Sequence, residues 1–262
     1  MKTRIISFAN HKGGVGKTTT AASTGSILAS KGYNVLLIDM DPQANLTFCM
    51  LAQATEKSIY SAMTGKIPSL PLVHIQEHLD LVPADLQLAV AEMELLTAIA
   101  RERILSNLLQ PIQDNYDFVL IDCPSNSLGL LVLNALSAST DVIIPLIPEI
   151  LSSQGLKDIN EMIHKIRQTV NPDLKLTGFL LTKCKRNNLH RDIENELRER
   201  ASDLLFATKI RENITVAEMP LEGVNIVEFA PKSNGAKDYA AFTEELLQKI
   251  GFSDFSSSSG SN

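Results

Sequence analysis

The run Asn10-His11-Lys12-Gly13-Gly14-Val15-Gly16-Lys17-Thr18-Thr19-Thr20 constrains the fold of this chain more than any other stretch. An apolar, strand-like segment, Arg4 to Ala9, leads into it. A segment of helical character, Lys17 to Lys31, follows and stops at Gly32. Glycines at such a junction permit backbone angles and close approaches that other residues resist, so successive N–H groups can converge on one anion. The helix that follows sets the positive end of its dipole on the same point. Lys17 then supplies a cation near β- and γ-phosphates, and the Thr18 hydroxyl is placed to ligate magnesium. The residues expected to surround the phosphates are Lys12, Gly13, Gly14, Val15, Gly16, Lys17, Thr18 and Thr19. The general pattern G-x-x-x-x-G-K-[ST] fails only at its first position, occupied by His11. Lys12, at the mouth of the loop, is poorly placed to reach phosphates held by its own chain.

The rest of the chain repeats the alternation of short apolar runs with helical stretches. Asn34 to Asp39, Leu79 to Val82, Phe118 to Asp122, Val142 to Pro145 and Leu176 to Leu181 read as buried strands. Helices are expected near 85–110, 128–138, 153–169 and 189–205, with a last one over 236–250, whereas Phe206 to Ile226 reads as less regular. Continuous apolar strands separated by helices predict an α/β fold, a mostly parallel twisted sheet flanked by helices on both faces. In such sheets ligands sit beyond the carboxyl ends of the strands.

At 262 residues and 44% hydrophobic content, one domain over 1–252 can bury its own core without disulfides. The Ser/Gly-rich stretch 253–262 is expected to be a flexible tail. Cys49, Cys123 and Cys184 are few, odd in number and unclustered, which suits a reducing cytosol better than a metal-binding set. No apolar run reaches the roughly 18 residues of a membrane span, and no secretory pattern opens the sequence, so a cytoplasmic location is expected. A net charge of −6 disfavours a surface-wide nucleic-acid footprint but leaves room for a local basic patch.

Three carboxylates fall at strand ends. Asp39 and Asp41, in Leu37-Ile38-Asp39-Met40-Asp41-Pro42-Gln43, lie on the same side of an extended chain. Phosphoryl transfer to water needs a positioned nucleophile and charge compensation. Asp41 is therefore expected to orient the water, with Lys17 compensating charge and Asp39 assisting near the metal. Asp122 ends the apolar strand Phe118-Val119-Leu120-Ile121 in the Walker B manner, and is expected to hold magnesium. Cys123, with no histidine near it in sequence, reads as a packed side chain.

Together the Lys12–Thr20 loop, Asp39-Met40-Asp41-Pro42-Gln43, Val82-Pro83-Ala84-Asp85, Ile121-Asp122-Cys123-Pro124 and Pro231-Lys232-Ser233-Asn234-Gly235-Ala236 resemble the ParA/MinD group with its deviant Walker A loop. Within that group the chain is most similar to ParA/Soj partition ATPases. The resemblance implies ATP and Mg2+ as ligands and an ATP-dependent homodimer in which Lys12 crosses to the partner's nucleotide. It also implies slow hydrolysis stimulated by a ParB-like centromere-binding protein, and DNA binding without sequence preference. For the adenine it implies Thr182, Ile210 and Arg211. Where members often read Ile-Pro-Arg-Asn-Val-Arg, this chain has Ile210-Arg211-Glu212-Asn213-Ile214-Thr215, so Glu212 and Thr215 replace residues linked to DNA. A substitute basic patch is Lys183, Lys185, Arg186 and Arg191, extended by Arg198 and Arg200. The run Cys123 to Gly129 is longer than members usually carry. A second reading is a positioning ATPase for protein cargo or for conjugation or secretion machinery, with little or no DNA binding. Membrane positioning is disfavoured because Asp238 to Ile250 is acidic rather than basic. An iron–sulfur reductase would need a second cysteine beside Cys123.

Overall fold

The strands expected from apolar runs form, and their alternating side chains divide the interior in two. The computed structural model describes residues 2–51, 55–125, 129–148, 153–213 and 230–252. In chain order the elements are β1 (Arg4–Phe8), α1 (Lys17–Ser30), β2 (Val35–Asp39), α2 (Asn45–Leu51), α3 (Ile59–Met63), β3 (Val73–Gln76) and β4 (Leu79–Val82). Then follow α4 (Leu88–Glu94), α5 (Ile104–Leu109), β5 (Phe118–Asp122), α6 (Leu130–Ala138), β6 (Asp141–Leu146), α7 (Ser153–Thr169), β7 (Lys175–Cys184), α8 (Asn188–Ala201), β8 (Leu205–Arg211) and α9 (Asn234–Lys249). The described strands make one sheet in the order β3-β4-β2-β5-β1-β6-β7-β8. Every neighbouring pair is parallel except β3 with β4.

On one face Leu36, Ile38, Val119 and Ile121 pack beneath α3 to α6. On the other, Leu37, Phe118 and Leu120 pack with α1, α2 and α9. Strands buried on both faces read as unbroken apolar runs, which is why the sequence exposes them clearly. The parallel order sets the carboxyl ends of β1, β2 and β5 side by side. In register, Phe8 and Asp39 both lie opposite Asp122.

Three regions differ from the sequence reading. The single helix expected over 85–110 is two helices separated by a 3-10 turn at Arg101–Arg103, with Ala100 left-handed at φ 52°. Buried Asn134 accounts for the break: its Oδ1 accepts from the Leu105 N–H at 3.0 Å and its Nδ2 donates to the Arg101 carbonyl at 2.8 Å. These bonds satisfy backbone groups that a continuous helix would have paired. The first part of the segment expected to be irregular, Phe206 to Ile226, is edge strand β8. The carboxylate of Glu245 on α9 accepts from the N–H groups of Ala207 and Thr208 at 2.6 and 2.8 Å, covering that edge. Finally, α2, α3 and β3 are elements the pattern did not reveal. The expected tail, 253–262, lies outside the described residues, as do residues 126–128 of the loop after Asp122.

Candidate functional site

The loop between β1 and α1 is built as the glycine pattern requires. Gly14 and Gly16 sit at φ 70° and 88°, angles a side chain resists, and Gly16 caps α1. Asn10 shapes the entrance, donating from Nδ2 to the Pro145 carbonyl at 2.7 Å and accepting the Lys12 N–H on Oδ1 at 3.0 Å. The loop opens onto a cavity of about 530 Å3 shared with the ends of β7 and β8, a size that suits a nucleotide.

Lys17 is only 4% exposed. Its ammonium donates to Ser125 Oγ at 2.6 Å and to the Lys12 carbonyl at 3.3 Å. Burial lowers its pKa, against the opposing pull of Asp122, Cys123 and Asp41. Lys12, by contrast, is exposed at the mouth of the loop.

The carboxylates differ sharply. Asp122 is fully buried and neither of its oxygens has a hydrogen-bond partner. Burial, then the nearby charge of Asp39, raises its pKa well above the ordinary carboxyl value. The Thr18 hydroxyl and then the Lys17 charge oppose that shift. Two bare oxygens beside a threonine hydroxyl are the donors a hard divalent cation takes. Among the described residues no group of three or more His, Cys, Asp or Glu could hold a metal. Magnesium needs only one or two protein oxygens together with water and phosphate.

Asp39 is equally buried, but its oxygens are engaged. Oδ1 accepts the Asp41 N–H at 3.0 Å, and Oδ2 accepts both the N–H and the hydroxyl of Thr47 at 2.8 Å. Burial pushes its pKa up to about 6, and those hydrogen bonds restrain the rise. In this arrangement Asp39 fastens the loop between β2 and α2 from a position in register with Asp122, the carboxylate expected to hold the metal. That loop carries Asp41, whose Oδ1 accepts the Gln43 N–H at 2.9 Å and whose side chain lines the cavity. Cys123 is completely buried and its thiol is pushed up to about 12, as expected of a packed side chain.

Of the residues expected at the adenine, Thr182, Ile210 and Arg211 all border the cavity. The Thr182 hydroxyl, however, faces the Val15 carbonyl at 2.8 Å and the Leu146 carbonyl at 3.1 Å. It clamps the phosphate loop to β6 and β7. Arg211 grips Asp238 through Nε and Nη2 at 2.6 to 3.2 Å. Asp238, Ser125 and the buried ring of Tyr239 were missed in the sequence. Ser125 alone carried a signal there, its place directly after Asp122-Cys123-Pro124.

The expected basic patch does not stay together. Lys183 turns to the nucleotide cavity. Arg198 pairs with Glu194 and Arg200 with Glu196, each at 2.9 Å along α8, and Lys185 lies 3.4 Å from Glu212. Arg186 and Arg191 remain beside a second cavity of about 490 Å3, with Lys185, Lys209 and His190 around it.

Comparison with known proteins bears on this geometry directly. The family model described as an AAA domain matches residues 3–176. The chain is 37% identical over 248 residues to the sporulation initiation inhibitor protein Soj of Bacillus subtilis, covering 93% of this chain and 98% of Soj. It is 39% identical over 251 residues to the chromosome partitioning protein ParA of Myxococcus xanthus, covering 94% and 88%. The chain belongs to the ParA/Soj family. Among solved structures, one named cobyrinic acid a,c-diamide synthase from Mycobacterium smegmatis, with bound ADP and magnesium, superposes with a TM-score of 0.82 at 37% identity. That match covers 95% of this chain and 96% of the other. ParA/Soj membership thus accords with the loop, the Asp-x-Asp-Pro-Gln run and the parallel sheet read from the sequence.

Proposed function

We propose that this chain is a ParA-like ATPase that binds Mg·ATP in the cavity of the phosphate loop, dimerises on it and hydrolyses it to ADP and phosphate. The observation that carries this reading is Asp122, a buried carboxylate with two bare oxygens next to Thr18 and Lys17. A fold tolerates an uncompensated buried carboxylate poorly, so the bare pair is a demand for a cation. Thr18 and Asp122 would hold the magnesium, which supplies charge neutralisation to the phosphates. Loop N–H groups cradle the phosphate chain, and Lys17 exchanges Ser125 for a phosphate oxygen. Asp41 orients the attacking water. The guanidinium of Arg211, fixed in plane by Asp238, offers a flat surface to the adenine beside Ile210. Exposed Lys12 reaches the nucleotide of a second copy, and the family supports a ParB-like protein as the stimulating partner.

The ATP dimer would bind DNA through phosphate contacts from Arg186 and Arg191. The cavity they border, fringed by lysines, supports this. A cytoplasmic setting, with association to the nucleoid, follows from that role. The second reading, a positioning ATPase for protein cargo with weak DNA binding, draws support from Glu212, which offsets Lys185. Retention of DNA by the purified protein at low salt, with and without Mg·ATP, separates the two. ATP-dependent retention supports partition, and its absence in the wild-type protein leaves cargo positioning. Calorimetry with Mg·ATP tests the nucleotide site itself, and no binding there would refute the whole proposal.

A further inference from the structure

One lysine of the expected DNA patch lies elsewhere, and its surroundings give it a different partner. Near the end of β7, Thr182 is fastened to the phosphate loop through the Val15 carbonyl at 2.8 Å. The next residue, Lys183, is left-handed at φ 49°. Lysine has no intrinsic reason to adopt that angle, which in non-glycine residues gathers where surrounding structure imposes it. The turn brings the side chain back over the loop. A Cβ built on Gly14 would meet Lys183 Nζ at 3.9 Å, nearer than any described residue beyond the two chain neighbours of Gly14. Lys183 borders the same cavity as Gly14, Lys17 and Thr18.

The charges nearby sharpen the point. Arg211 is held by Asp238 and Lys185 lies against Glu212. No carboxylate among the described residues forms an ion pair with Lys183. A solvated lysine on an outward-facing patch would neither need the unusual backbone angle nor sit on a glycine of the anion loop. We infer that Lys183 is a further phosphate-binding lysine of the site, contacting the phosphate chain of the nucleotide held by its own protomer. The inference rests on the nucleotide reading proposed above. It adds a cation delivered from the end of β7 to the one delivered by the loop itself.

The test exploits the backbone. Lys183→Gly removes the ammonium while favouring the observed angle, so loss of folding is not the expected outcome. Lys183→Arg keeps the charge. Calorimetry with Mg·ADP and a non-hydrolysable Mg·ATP analogue, at two salt concentrations, gives the affinities. Lys183→Gly is expected to weaken both nucleotides about tenfold and to flatten the salt dependence, while Lys183→Arg recovers most of the affinity. Affinities within about twofold of wild type for Lys183→Gly overturn the inference. So does intact nucleotide affinity combined with lost ATP-dependent DNA retention, which would return Lys183 to the DNA surface. In either of those cases wild-type protein still binds nucleotide and the broader reading stands. Failure of the wild type itself to bind removes both.

Discussion

The two halves of the sheet treat charge in opposite ways. At the centre, where β1, β2 and β5 end, Asp122 is buried with bare oxygens, and Lys17 is buried against a hydroxyl and a carbonyl. On the flank formed by β7, α8 and β8, charges stay nearer solvent and largely come in pairs: Arg198 with Glu194, Arg200 with Glu196, Lys209 with Glu194, Lys185 with Glu212. Exposed pairs of that kind contribute roughly 0–1 kcal/mol each and occur on any helical surface. A buried, unsatisfied carboxylate costs several times more and persists where something else completes it. The difference teaches that need for a ligand is marked by unmet charge, whereas abundance of charge marks little.

The largest effects are expected at the centre. Asp41→Ala should retain Mg·ATP binding and dimer formation and lose hydrolysis by at least about 100-fold, since positioning of water is its proposed contribution. Unchanged turnover in a phosphate-release assay removes Asp41 from the reaction. Lys12→Ala should bind nucleotide with near wild-type affinity yet remain monomeric with ATP in sedimentation. A normal ATP dimer would place exposed Lys12 with the solvated charges of the flank and blur the contrast.

Asp122→Asn probes the unmet charge itself. Burial raises the Asp122 pKa in the folded chain above its unfolded value, so the folded state holds the proton more tightly. Its contribution is therefore favourable at low pH and is lost as pH rises from the unfolded value through the folded one. Asp39, raised to about 6, follows the same sign, losing its contribution between about pH 4 and 6. Asparagine cannot ionise. Nucleotide-free Asp122→Asn should therefore melt above wild type at pH 8 by a few degrees, for a gain of about 1–3 kcal/mol. That gain should shrink on acidification. The same variant should lose magnesium-dependent nucleotide affinity. A lower melting temperature at pH 8 would show that Asp122 is satisfied within the fold, and the comparison would fail.

What the sequence revealed follows the same division. The phosphate loop, the Asp122 strand and the parallel sheet were legible because each is local: a glycine pattern, an apolar run, a strand-end carboxylate. The hold of Asp39 on Thr47 was not legible, because Thr47 lies on α2, a helix with no periodic signature. The break at Ala100 depends on Asn134, more than thirty positions away in sequence. β8 hid because the adjacent polar residues Thr208 and Lys209 interrupt its apolar run. The destination of Lys183 turns on one left-handed residue, which composition and spacing do not encode.

The smallest effect is expected on the flank, where a matched pair of variants separates paired from unpaired cations. Arg186→Gln with Arg191→Gln, and Arg198→Gln with Arg200→Gln, each remove two positive charges from the same region. Long-range attraction to DNA changes equally in both. Only the first pair removes cations that are not matched to a carboxylate on α8: Arg191 bonds Asn188 Oδ1 at 3.0 Å, a neutral partner. The first pair should weaken ATP-dependent DNA retention about tenfold and lower the salt slope of binding by about two. The second should stay within about twofold, because each arginine is held by a glutamate one turn away. Equal losses from both pairs would mean that DNA draws arginines out of their ion pairs. Local pairing would then be a poor guide to the binding surface, and the flank would be read by its total charge.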